Sequence, residues 1–414
     1  PAPSVLEYGD DYGPTPKLLA PQSSLVPTVR PAKAEGWPEG EKPSPANGLA
    51  VNAFVSGLDH PRWLYVLPNG DVLVAESNAP EGSGLCSEFK KLAANVVMKY
   101  AGSKTKSADR ISLHRDTNGD GVADESHVFA DGLHSPFGLA LVDDHLYVAN
   151  ADAVVRFTYT PGMTAVTTDL EVIAELPSGM NHHWTKNILP SSDEQSLFVT
   201  VGSNSNVGEC GPEAEEGRAA IHRLDLETGE LELFAHGLRN PVGLALEPTT
   251  DTLWTAVNER DELGSDLVPD YATSVRKGDF FGWPYTYYGD NPQPKLDSRW
   301  PDEHPTARAP DYAVGAHTAS LDIEFSYDSA LPEKWRNGMF VSQHGSWNRQ
   351  PRAGYRVIYI PFEGGTPSGV PEEVVGGFLD ADGHAMGRPA GLAIDKTGAL
   401  LVADDVGNVI WRVK

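Results

Sequence analysis

Residues 237–259 read GLRNPVGLALEPTTDTLWTAVNE. A turn marked by Gly and Pro opens into an apolar run, a polar turn reverses the chain, and a second apolar run ends in a polar loop. Short runs of strand formers between such turns predict an antiparallel hairpin. Five further segments share the pattern: 57–77 (GLDHPRWLYVLPNGDVLVAES), 132–152 (GLHSPFGLALVDDHLYVANAD), 181–203 (NHHWTKNILPSSDEQSLFVTVGS), 318–345 (TASLDIEFSYDSALPEKWRNGMFVSQHG) and 387–405 (GRPAGLAIDKTGALLVADD). Most are followed by a third strand-like run: VVRFTY (154–159), AIHRLDL (220–226), YRVIYIPF (355–362) or VIWRV (409–413). Helical periodicity is nearly absent. Short strands repeating at tens of residues predict radial blades, and six units predict an all-β, six-bladed β-propeller.

A ring of blades must close. The last unit ends at VIWRV without a fourth run, whereas LAVNAFVSG (49–57) precedes the first unit as an unmatched strand. Pairing the two completes the last blade and removes a free edge. Residues 50–414 are therefore expected to form one domain, and the Pro-rich, aperiodic residues 1–49 an extended arm. Long connections after the second strands of units one (78–95), three (203–217) and four (259–283) are expected on one rim, where loops on a rigid scaffold build binding sites.

Lys and Arg number 32 against 58 Asp and Glu, a net charge of −26. That balance argues against nucleic acid and against an anionic membrane surface. No run approaches the ~20 apolar residues of a membrane-spanning helix. A start at Pro1 predicts a processed, exported protein, periplasmic or secreted. Cys86 and Cys210 both lie in Gly-rich polar loops. An oxidising compartment favours their pairing, but sequence alone leaves two separate thiols open.

Several side chains suit chemistry at the rim. His183, in NHHWTKN, offers a base that titrates near neutrality. If residues 182 and 183 were in a strand, only one of the two rings would face the channel. Arg239 and Asn240 sit in the opening turn of unit four, and Arg388 holds the matching turn of unit six. Two cations at matched turns suggest a shared anion, since an Arg fork pairs with carboxylates. HGSWNRQPRAGYRV (344–357) groups His344, Trp347 and Arg349, which suits a flat anionic ring by stacking and ion pairing. Each of these residues taken singly is equally consistent with a structural role. Asp116, Asn118, Asp120 and Asp124 alternate around Gly121 in DTNGDGVADE, a spacing for a structural calcium turn or a simple Asx turn. Glu259 and Arg260 open a second acidic loop, NERDELGSDLVPDY (258–271), whose oxygens suit a cation. Dinucleotide, zinc-protease, c-type haem and serine-nucleophile signatures are absent.

Taken together, NHHWTKN, SNSN, GLRNP, VNERDELGSDLVPDY, FFGWPY, QHGSWNR and VADDVGNV resemble the soluble glucose/sorbosone dehydrogenase family that uses pyrroloquinoline quinone (PQQ), nearest its L-sorbosone branch. The resemblance runs from about residue 50 to the end. It implies PQQ and Ca²⁺ at the channel mouth, a sugar or sugar-derived aldehyde as substrate, and an external electron acceptor. It makes His183 the base and sets Arg239 and Asn240 against the quinone oxygens. Arg388 and Arg349 would then hold the cofactor carboxylates, with His344 and Trp347 beside them, and backbone carbonyls near Glu259 and Arg260 would hold calcium. Val242 and the Glu259–Arg260 pair depart from the glucose-oxidising branch, which has Gln and Gly-Pro at those places. The rival expectations are a calcium-dependent propeller lactonase or esterase and a non-catalytic binding propeller.

Overall fold

The computed structural model describes residues 2–22, 29–84, 86, 99–102 and 105–414. Six antiparallel sheets, each built on four blade strands, surround a hub. Listed from hub to rim, blade 1 is Pro61–Val66, Val72–Glu76, Arg110–Arg115 and Glu125–Ala130. Blade 2 is Leu139–Val142, His145–Ala149, Ala153–Thr158 and Glu171–Glu175; blade 3 is Ile188–Pro190, Ser196–Val201, Ala220–Asp225 and Leu231–His236. Blade 4 is Pro241–Glu247, Thr252–Val257, Pro269–Val275 and Tyr312–Ala316; blade 5 is Ser320–Phe325, Gly338–Gln343, Arg356–Glu363 and Glu372–Gly376. Blade 6 is Pro389–Ile394, Leu400–Asp404, Val409–Val413 and Val51–Ser56.

The last of these strands closes the ring. Val51–Ser56 pairs antiparallel with Val409–Val413, joining the first strand of the propeller in sequence to the last. The fold is a six-bladed β-propeller, as the repeat predicts.

The innermost strands contact one another all the way round, and their sequences explain how they fit. Blades 2, 4 and 6 share P-x-G-L-A: PFGLA (136–140), PVGLA (241–245) and PAGLA (389–393). A Cβ on Gly138 would lie 2.8 Å from Asn187 Cα of blade 3, and one on Gly243 would lie 2.8 Å from Asp322 Cα of blade 5. One on Gly391 would meet Trp63 Cα of blade 1 at 3.0 Å. Even blades therefore nest against the odd blades that follow them. Blades 3 and 5 carry a buried polar residue at the contact. Asn187 donates to the Val242 carbonyl of blade 4 at 2.9 Å, and Asp322 accepts the Leu392 N–H of blade 6 at 2.7 Å. Each bond satisfies a buried backbone group and ties one pair of blades to the next.

In blade 4 the third strand, Pro269–Val275, begins earlier than the sequence suggested, so the connection after the second strand spans only 258–268. The polar residues of PDYATSV disguise a strand that is buried on both faces. The long excursion lies instead between the third and fourth strands. It runs beside the outer strand of blade 3, with a parallel bridge between His236 and Phe280, and brings Trp283 to the Asn206 carbonyl at 3.0 Å. The expected loop 78–95 is described over 78–84 and at Cys86; residue 85 and residues 87–95 lie outside the described residues.

The described residues before the ring-closing strand lie along blades 4 to 6. Tyr12–Gly13 adds to the outer strand of blade 4, and Ser44–Pro45 to that of blade 5. Trp37 packs edge-on against Phe378 and Trp411. Cys86 and Cys210 form a disulfide linking the connections after the second strands of blades 1 and 3. Among the described residues no helix is long and apolar enough to cross a membrane.

The tight contacts at the hub lead to a prediction. Gly243→Ala should lower unfolding free energy by about 1–3 kcal/mol, because its methyl group would overlap the Asp322 backbone. Urea unfolding would measure the loss, and an unchanged midpoint would show that the paired blades have slack.

Candidate active site

In an up-and-down blade, the connection after strand two and the connection into the next blade emerge at the same end. His183, Arg239, Asn240, Glu259, Arg260, His344, Trp347, Arg349 and Arg388 all lie on such connections, so they share one face of the propeller. The turn Asp116–Asp124 joins strands three and four of blade 1 and so lies at the opposite face.

His183 is held by the connection after the second strand of its own blade. Its Nδ1 lies 2.8 Å from the Ser203 carbonyl and 3.1 Å from the Ser203 hydroxyl. A carbonyl only accepts, so Nδ1 carries the proton and Nε2 keeps its lone pair. Burial, the adjacent His182 ring and the charge of Arg239 hold the pKa of His183 well below the usual range. The imidazole is therefore neutral at ordinary pH. Gly202 makes room for it: a Cβ there would collide with Asn240 Oδ1 and lie 2.6 Å from His183 Cβ. His182 and His183 do not point to opposite sides. They sit in a bend rather than a strand, and their rings are 4.6 Å apart.

Arg239 is buried among the loops of blades 3 and 4. It donates to the Asn206 carbonyl at 3.2 Å, the Asn206 side chain at 3.0 Å and the Glu259 carbonyl at 2.9 Å. Its ion pair is with Asp261, at 3.3 Å. Asp261 also takes Asn348 Nδ2 at 2.7 Å and stands 3.2 Å from His317 Nδ1. Burial would raise the pKa of Asp261, but these partners hold it down at about 2. Loops from blades 3, 4 and 5 thus meet at one carboxylate.

A second cluster joins blades 5, 6 and 1 at Asp405. Its carboxylate takes His344 Nε2 at 2.8 Å and Arg62 Nη1, and its carbonyl contacts His60 Nδ1 at 2.9 Å. Arg388 lies 5.4 Å from the centre of the Tyr355 ring and donates to the Ala32 carbonyl at 3.2 Å. Its Nε is buried without a partner, as are Asn240 Oδ1, Asn348 Oδ1 and Glu259 Oε2 on neighbouring connections. Buried polar atoms left unsatisfied on four connections of one face are the expected sign of a site built for something polar.

The 344–357 grouping differs from expectation. Arg349 does not reach these orphaned atoms. It pairs with Asp11 at 2.7 Å and donates to the Ala316 carbonyl at 2.8 Å, with Asp266 at 3.9 Å. Its charge is already matched by acidic groups, whereas Arg388 keeps a buried Nε without a partner. Trp347 is 38% exposed, and its carbonyl accepts the Arg30 N–H at 2.6 Å. In the turn of blade 1, Asp116 accepts the N–H groups of Gly119 and Gly121, Asn118 that of Asp120, and Asp124 that of Thr117. Those oxygens brace an Asx-type turn. Among the described residues the one three-residue cluster of acidic and His ligand atoms is Glu35, Asp380 and His384.

Sequence reading missed Asp405, Ser203 and His317. The first two had a signal: each ends or follows the second strand of its blade, at the register of Glu259 and His344. His317 had none.

The TrAA12-like family model matches residues 103–278 and 285–414, and the chain belongs to that family. It is 28% identical over 299 residues to an uncharacterised protein of Borreliella burgdorferi, covering 69% of this chain and 77% of that one. It is 25% identical over 363 residues to a PQQ-dependent pyranose dehydrogenase of Coprinopsis cinerea, covering 76% of this chain but 44% of the relative. The chain thus spans less than half of that enzyme. Among solved structures, the holo PQQ domain of the Coprinopsis cinerea enzyme superposes with TM-score 0.69 at 20% identity, covering 93% of this chain and all of that one. A calcium structure of a Trichoderma reesei family AA12 protein gives 0.69 at 18%, covering 94% and 99%. At such identities the solved structures speak to the fold, which they share.

Glu215 supports the loop that orients His183, and it titrates. Its Oε2 takes the Asn204 N–H at 2.7 Å, its Oε1 takes the Ser205 hydroxyl, and burial raises its pKa to about 7. The unfolded chain releases this proton near pH 4.5, so between 4.5 and 7 the folded state binds the extra proton and loses stability as pH rises. Comparing urea midpoints at pH 5 and pH 8, Glu215→Gln should remove roughly 1–3 kcal/mol of that loss. Parallel pH profiles for parent and variant would contradict the assignment.

Proposed function

We propose that this TrAA12-like chain oxidises a sugar, or the hydrate of a sugar-derived aldehyde such as a sorbosone, using PQQ and calcium at the loop face. His183 carries the proposal: a neutral imidazole with a bare Nε2, set across Gly202 from Asn240. The functions of relatives support the reading, since one is a PQQ-dependent pyranose dehydrogenase and another solved propeller is a PQQ-bound aldose sugar dehydrogenase of Streptomyces coelicolor.

The residues present fit such a ligand. Arg388 and Asn240 have buried polar atoms without partners, and Arg239 brings a second cation to the face. For calcium, Glu259 offers a buried Oε2 without a partner, and burial raises the pKa of its carboxyl to about 7, while its carbonyl already accepts from Arg239 at 2.9 Å. A hard cation there would favour the ionised carboxylate. When bound, PQQ supplies the acceptor for hydride, and calcium adds positive charge beside it.

The chain's own groups do the rest. His183 Nε2 takes the hydroxyl proton of the substrate, while the Ser203 carbonyl holds the Nδ1 proton and so stabilises the resulting imidazolium. Arg239, kept in place by Asn206 and Asp261, supplies charge stabilisation at the face. Arg388 and Asn240 orient the anionic ligand. The reduced enzyme passes its electrons to an external acceptor. Export to a periplasm or to the outside is part of the proposal, and the Cys86–Cys210 bond supports it.

Reconstitution tests the proposal. Protein loaded with PQQ and CaCl₂ should reduce a dye with a pyranose or with sorbosone, and His183→Ala should lower kcat by at least ~100-fold. Unchanged turnover in that variant would remove His183 from its role. Lactone hydrolysis with no change in the visible spectrum on adding PQQ would point to a calcium-dependent hydrolase instead.

A further inference from the structure

Behind the His182–His183 bend lie two buried basic side chains, Lys186 and Arg218, that form no ion pair with a carboxylate among the described residues; burial holds the pKa of Arg218 down at about 10 and that of Lys186 well below its usual range. Lys186 Nζ donates to Asn181 Oδ1 at 2.9 Å and to the Trp184 carbonyl at 3.2 Å. Arg218 donates to the same Asn181 Oδ1 at 2.9 Å, to the carbonyls of Pro177 and Ser178 at 2.9 and 3.0 Å, and to that of Gly202 at 2.9 Å. Asn181 completes the knot by donating to the Ala151 carbonyl of blade 2 at 3.0 Å. One guanidinium thus grips both the stretch leading to His183 and Gly202, against which the His183 side chain packs.

The choice of Asn at the centre is informative. Two buried basic groups facing one side chain would ordinarily call for Asp, which has the same shape and supplies the missing charge. An Asp at 181 would put a negative charge two residues from His183. The groups that act on His183 in this structure are all cationic or neutral: His182, Arg239 and Arg218. The carboxylates Glu209 and Asp261 act on the neighbouring His182. An amide at 181 satisfies the donors without cancelling the positive field.

We infer that Arg218, Asn181 and Lys186 form a positioning clamp for His183, which fixes the bend carrying the ring and, by withholding a carboxylate, keeps the imidazole unprotonated. Its consequence for turnover rests on His183 being the base proposed above; its effect on the imidazole does not. The sign is definite. Cations nearby disfavour imidazolium, so adding an anion or removing a cation raises the His183 pKa.

The test uses Asn181→Asp and Arg218→Gln with two readouts. Histidine ¹³C NMR of the full-length protein without PQQ, with the His183 signal identified by its loss in His183→Gln, follows the imidazole directly. Both variants should move its midpoint up by about one pH unit. The acid limb of kcat/KM in PQQ- and calcium-loaded protein should move up with it, which a merely structural role would not cause. Asn181→Asp keeps both cation contacts and gives up one bond to Ala151, so it carries the test even if Arg218→Gln fails to fold. A midpoint within about 0.3 unit of the parent in folded Asn181→Asp overturns the clamp. A shifted midpoint with an unshifted acid limb upholds the clamp and overturns His183 as the base.

Discussion

Six sheets can share one hub only if the ring leaves no edge open, and the pairing of Val51–Ser56 with Val409–Val413 meets that condition. Everything at the loop face follows from the closure. The innermost strands are pressed into a continuous circle, so the connections that leave them at one end are brought around a common axis. The closing strand also comes from the start of the domain. The preceding chain therefore begins at the rim beside blades 4 to 6, where Asp11 neutralises Arg349 and Ala32 meets Arg388.

Within the circle the blades are not equivalent. Glycines of P-x-G-L-A in blades 2, 4 and 6 lie against the backbones of blades 3, 5 and 1, and buried Asn187 and Asp322 bridge onward to blades 4 and 6. Three blade pairs, with two of the three junctions between them tied by these side-chain hydrogen bonds, make a rigid platform. Rigidity matters at the site because His183, Ser203 and the Arg239–Asn240 pair come from three connections that must hold their spacing without a ligand.

Charge distribution at the face runs against the composition. The chain carries −26 overall, yet Arg62, Arg218, Arg239, Arg388 and Lys186 are buried or nearly so around the loop connections. Three of these five form no ion pair with a carboxylate among the described residues: Arg218, Arg388 and Lys186. Burying them in this way costs free energy that packing elsewhere must offset, and the gain is a neutral imidazole beside donors that suit an anion. Acidic groups are used sparingly in the same region. Asp261 and Asp405 each gather partners from several blades and act as nodes.

Much of this was legible in the sequence. Period, turn residues and the unmatched strand 49–57 determine a six-bladed ring with its point of closure, because strand alternation and edge avoidance are local rules with one compatible global solution. Matched turns likewise place His183, Arg239, Asn240 and Arg388 on one face. Tertiary structure alone decided which charges are free. Arg349 and Arg388 read alike as residues, but only packing brings Asp11 to the first and leaves Nε of the second unpaired. The same holds for the direction of His182, set by a bend, and for the clamp at Asn181, whose donors come from positions 186 and 218. Hydrogen bonds and ion pairs between residues far apart in sequence depend on distances that the folded chain creates, and no local pattern records them.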